Sequence, residues 1–152
     1  MDAVTYSTDT VISFIEKYLV PVRLTIQDDG GYGEENYQTF WTPTLGILDP
    51  TGTELQRVIG FFSPGEFIAE MHLGIAKFHF NAEDYDTALV HLNVLLEGSL
   101  ECCSTPEAVY FRGVTLYKQK NDAAELKHAH EELLKNYPDS TWAKRALPYR
   151  LL

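Results

Sequence analysis

One tight turn constrains this chain more than any other feature. Asp49-Pro50-Thr51-Gly52 separates two apolar runs, TLGILD and ELQRVIGF. An Asp opens it, a Pro presets φ, and a Gly supplies flexibility. The pattern predicts a β-hairpin. The sequence then changes character. SPGE follows at once, with Ser63 as cap, Pro64 at the first helical position and Glu66 closing a capping box. From about residue 72 onward strand signals vanish. A chain with one hairpin and a helical remainder has few ways to build a core.

Helical spacing explains most of what surrounds the hairpin. Val11, Ile12, Phe14, Ile15, Tyr18 and Leu19 fall on one face of a helix within residues 5–19, with Thr8 or Asp9 as its cap. Phe67, Ile68, Met71, Ile75 and Phe78 form the stripe of the helix after SPGE. Further helices are expected from Tyr85 to Glu97, from Thr105 to about Gln119, from Asp122 to Asn136, and from Ser140 to Ala146. Before the hairpin, VPVRLTI alternates Val20, Val22, Leu24 and Ile26 and predicts a half-buried strand. QDDGGYGEE, residues 27–35, predicts a loop, and ENYQTF a helical turn. The organisation expected is two modules, 1–71 and 72–152, sharing a long joining helix.

Charge and composition remove several function classes. The net charge is −10, which opposes nucleic-acid binding, because phosphates require clustered Lys and Arg. No eighteen-residue apolar run predicts a membrane span, and no charged-then-apolar segment opens the chain. The expectation is a soluble cytoplasmic protein. Five histidines invite a metal site. However, His128 and His130 are two apart on a helix and diverge, and His72 and His79 share a face without a third ligand. Exposed or packed histidines are the expectation, and no metal or other cofactor is indicated. Glu131 and Glu132 lie within helical reach of His128 or Lys135, as solvated-face pairs. Asp28-Asp29 and Glu34-Glu35 are acidic pairs in a loop with nothing to raise a pKa.

The stretch TPTLGILDPTGTELQRVIGFFSPGEFI resembles the second half of the thioredoxin superfamily, in particular bacterial thioredoxin-like proteins of the disulfide-reductase type. The likeness covers about residues 1–71. It implies an α/β thioredoxin-like module with a cis peptide bond between Thr42 and Pro43. In that family the residue before the proline offers its backbone to an extended peptide, so Thr42, Pro43 and neighbouring Trp41 become the candidate peptide site. The plainer reading is that Pro43 only shapes the mouth of the strand. Trp41 is expected to pack in the core, the alternative being a wall of that groove.

The family's Cys-x-x-Cys would lie just ahead of Met1, and the central strand with it. The expectation is therefore an incomplete thioredoxin-like fold, with the dithiol encoded upstream. The alternatives are direct pairing of strands 20–26 and 44–49, or a second chain that completes the sheet. Cys102 and Cys103 are adjacent and sit in the helical half. They are candidate redox thiols, read as reduced loop thiols or as a vicinal disulfide, and Glu101 and Glu107 beside them disfavour thiolate.

Residues 72–147 resemble tetratricopeptide-type helical hairpins. Ala76, Ala88 and Leu92 occupy small-small-large positions of one repeat, and Gly113, Ala129 and Leu133 those of a second. NYPDS resembles the terminal turn. The other reading is a capping extension over one sheet edge. The functional expectation is a member of a thiol–disulfide oxidoreductase family that is redox-inactive without its dithiol. The alternative is a non-catalytic module that binds a protein or an extended peptide. A homodimer through unpaired strands is a further possibility.

Overall fold

A computed structural model describes residues 1–24, 39–98 and 102–152. Those residues are mostly helical, with one two-stranded antiparallel sheet. The expected loop at 27–35, Ile26, the turn at 35–38, both acidic pairs and Glu101 lie outside the described residues.

Helix α1 spans Asp9–Tyr18 and buries Val11 and Phe14. Thr8 takes the cap position, but its hydroxyl donates to the Thr5 carbonyl (2.9 Å) and makes no cap bond. Thr5 is fully buried, and its Oγ1 donates to the carbonyl of Phe62, tying the start of the chain to the far side of the hairpin.

The hairpin forms as the turn chemistry requires. Strand β1 is Thr44–Leu48 and β2 is Glu54–Ile59. Thr44 lies opposite Ile59 and Ile47 opposite Gln56, with a register shift between Ile47 and Leu48. Asp49 Oδ1 accepts from the backbone N–H of Thr51 (2.8 Å) and of Thr53 (2.9 Å), and Gly52 adopts φ 87°. Those bonds hold the exposed Asp49 carboxyl below its ordinary range.

Helix α2, Pro64–Asn81, starts with the full capping box. Glu66 Oε2 accepts from Ser63 N–H (2.9 Å), and Ser63 Oγ accepts from Glu66 N–H (3.4 Å). Ser63→Ala removes half of that exchange, and thermal unfolding should report a loss of about 1 kcal/mol.

The remaining helices are α3 (Tyr85–Glu97), α4 (Thr105–Lys120), α5 (Ala124–Asn136) and α6 (Thr141–Ala146), followed by a 3-10 turn at Leu147–Leu151. Asp84 caps α3 and Ser140 caps α6. Asn121 closes α4 in the left-handed conformation, φ 53°.

Among the described residues, three apolar clusters run in series along the helices. The first joins Val11 and Phe14 of α1, Ile47 of β1, and Phe67, Met71 and Ile75 of α2. The second joins Ala69, Leu73 and Ala76 of α2 to Leu92 and Leu95 of α3 and to Cys102 and Ala108. The third joins Val109 of α4, Leu133 of α5, and Ala143 and Ala146 of α6. The expected boundary at residues 71 and 72 therefore falls inside α2, a helix that serves both sides.

Two expectations fail. Residues 20–24 form no strand and pair with nothing in the sheet, so β1 and 20–24 do not join directly. Val20 and Val22 are 90% and 77% exposed. Alternating β-branched residues favour a strand only where a neighbouring strand and a covering layer exist. Trp41 is also not in the core, being 68% exposed. Ile47 and Phe67 fill the space beneath the hairpin instead. Among the described residues, no helix is long and apolar enough to cross a membrane.

Candidate functional site

Three of the residues singled out in the sequence meet at the mouth of β1. The Thr42–Pro43 bond is cis. The Pro43 carbonyl accepts from Gly60 N–H (2.9 Å), continuing the β1–β2 pairing by one rung, and Gly60 reaches it with φ 111°. Thr44 Oγ1 donates to the Trp41 carbonyl (2.6 Å), closing the backbone around the proline.

The two faces of the hairpin differ. Leu45 and Ile47 point down onto α1 and α2, where Gly74 lets the strand come close: a Cβ at Gly74 would meet Ile47 and, at 3.1 Å, the Cβ of Gln56. The other face carries Thr44 and Ile59 opposite each other, with an ion pair between Glu54 and Arg57. Around the mouth, Phe40, Ile59 and Phe61 are exposed together with Trp41. Among the described residues no strand pairs with the outer edge of β1, a row of backbone donors and acceptors that lies beside an aromatic rim. The sequence TLGIL carries no charge on that edge.

The cysteines stand elsewhere, ahead of α4, and are not bonded to each other. Cys102 is buried in the second cluster, with Sγ 3.0 Å from Ser104 Oγ. Cys103 Sγ donates to Glu70 Oε1 at 3.5 Å. Burial and the Glu70 carboxylate push the Cys103 thiol above its ordinary range, which opposes nucleophilic use. The acid that does this is Glu70, from α2, and not Glu107, which pairs with Lys77 (2.5 Å). Glu70 is itself buried and also accepts from Gln56 Nε2 (2.9 Å), linking the base of β2 to this corner.

The helical half carries a shallow groove of about 290 Å³ between α3, α4 and α5, lined by Leu89, Asn93, Arg112, Leu116, His128 and Glu132 among others. Glu132 does not pair along its own helix as expected. It accepts from Arg112 across the groove (2.5 Å), because Gly113 and Ala129 let α4 and α5 approach closely.

Sequence reasoning missed one cluster. His72 of α2 and His91 of α3 are both buried, with Nδ1 atoms 2.8 Å apart. His79 stacks on His91, and its Nδ1 lies 3.0 Å from Asp84 Oδ2. Phe14 and Tyr18 of α1 pack on the pair. The signal was present in the stripe Ala88, His91, Leu92, Leu95, which places His91 on the buried face of α3. Burial holds both rings below the ordinary histidine range, His72 at about 4. In the unfolded chain both would titrate near 6.5. Between those values the unfolded chain holds more protons, so acid favours unfolding there. Urea midpoints should be flat above about pH 7 and fall as pH drops from about 6.5 toward 4. Among the described residues, no group of three or more His, Cys, Asp or Glu side chains is placed to hold a metal ion.

No family model, curated protein or solved structure matches the chain.

Proposed function

We propose that this chain is a non-catalytic binding module that receives an extended segment of a partner protein along the open edge of β1, with Thr42, Pro43 and Trp41 at the head of the groove. The observation that carries this reading is the outer edge of β1, which no strand among the described residues pairs with, beside an exposed aromatic rim. Strand addition at such an edge draws affinity from main-chain hydrogen bonds and specificity from side-chain pockets. The cis Thr42–Pro43 bond and the TPTLGIL stretch support a thioredoxin-like origin for this half. The buried small residues Ala76, Ala88 and Ala129, with Gly113 beside Ala129, support a tetratricopeptide-like second half. A net charge of −10 favours basic partners. A cytoplasmic setting suits two unbonded thiols.

Trp41 supplies the assay. In a Trp142→Phe background, titration with basic extended peptides should quench or shift Trp41 emission with saturation in roughly the micromolar range. The same peptide with alternate backbone nitrogens methylated keeps its side chains and loses its donors, so its binding should drop at least tenfold. Equal binding of the methylated peptide, or no binding at high micromolar concentration, rejects strand addition. The oxidoreductase reading separates cleanly: this chain should not reduce insulin disulfides in the presence of dithiothreitol, because its thiols are adjacent and Cys103 is held protonated.

A further inference from the structure

We infer that His72 and His91 form a two-proton latch that holds helix α1 against α2 and α3 and releases it in acid. The 2.8 Å contact joins two Nδ1 atoms, so one ring donates there and the other accepts. The donor ring keeps its lone pair on Nε2. A first proton goes to that nitrogen and leaves the contact intact. The acceptor ring already carries hydrogen on Nε2, so a second proton can go only to its Nδ1. Two N–H groups then face each other across the contact, and two cations share a buried seam. One proton is tolerated; two are not.

What yields is set by what lies over the rings. Phe14 meets His72 edge-on with centroids 4.9 Å apart. Tyr18 touches both rings, at 5.9 Å from His72 and 5.3 Å from His91. Both aromatics belong to the last two turns of α1, which has no side-chain cap at its start and leads into exposed residues 20–24. Helices α2 and α3, by contrast, are also joined through Leu73, Ala76, Leu92 and Leu95. Among the described residues, the titratable and charged groups facing the pair are Lys17 and Tyr18 from α1, His79 from α2, and Asp84 ahead of α3. Lys17 adds repulsion to either cation. Asp84 offers little relief, because it is bonded to His79 and to the start of α3. Release of α1 would uncover Met71 and Ile75, the apolar side of the hairpin's support.

Hydrogen exchange of the full chain, followed by mass spectrometry from about pH 7 to pH 4 and corrected for intrinsic rates, tests this. Protection of amides in 9–18 should fall by more than tenfold per pH unit at the acid end, the mark of more than one proton, while α4 and α5 keep theirs. In His72→Asn/His91→Asn, α1 protection should no longer vary with pH. Loss of protection in α1 and α5 together, no loss in α1, or the same loss in the double variant overturns the latch. Ring NMR of the natural sequence needs no variant: the second of the two histidines should titrate together with α1 release. Both rings titrating above about pH 6 with α1 still protected would also overturn it.

Discussion

Leu73→Ala should lower stability by about 3 kcal/mol, roughly 6–12 °C in melting temperature. Leu73 is fully buried on α2 among Ala69, Leu92, Leu95 and Ala108. Three of its neighbours in that cluster are alanines, which have no side-chain length with which to fill a void. The substitution therefore loses the transfer free energy of the removed methyls and leaves most of the cavity open. Val90→Ala on the outer side of α3, 59% exposed, is the control and should change stability by less than about 0.5 kcal/mol. Equal effects from the two would mean that the α2–α3 seam is not packed as described.

Gly113→Ala reverses the usual sign of a glycine replacement in a helix. Alanine gains about 0.5–1 kcal/mol in helix propensity. At Gly113 the added Cβ would collide with the Cβ of Ala129 and lie 3.2 Å from the carbonyl of Glu125. Neither is the end of a long side chain, so α5 as a whole must retreat, at about 1–3 kcal/mol or more. Overpacking wins, and chemical denaturation should show net destabilisation. Ala129→Gly in the same chain should restore part of the loss, giving a coupling of about 1 kcal/mol or more between positions 113 and 129. Gly74→Ala is the milder comparison. There the nearest obstacle is the tip of Ile47, which can turn aside. If Gly113→Ala instead stabilises the protein, α4 and α5 are not in close contact.

What the sequence revealed was local, and what it concealed was not. The turn at Asp49–Gly52 and the box of Ser63 and Glu66 are specified by side chains within a few residues of the backbone they serve, and both form as read. The span of α3 follows from a cap and a stripe in one stretch of chain. Val20 to Leu24 misled because a strand's fate depends on a neighbour that its own sequence does not contain. Trp41 misled for a related reason: size and apolarity favour burial, but the space under the hairpin is already taken. At the mouth of β1, the cis form of the Thr42–Pro43 bond was expected from the resemblance, and the exposure of Trp41 and Phe61 was not. The His72–His91 contact joins residues nineteen apart on different helices, a pairing that helical spacing alone does not disclose.

Helix α2 makes the two halves poor candidates for trading between proteins. A fragment ending at residue 71 keeps Phe67 and Met71 but surrenders Ile75 from beneath the hairpin. One beginning at 72 keeps Leu73 and Ala76 but surrenders Ala69 from the seam with α3. Each half would be left with a hole that the other half's share of the same helix had filled. Recombination, insertion or fusion is therefore best placed at the ends of α2, before Ser63 or around Glu83.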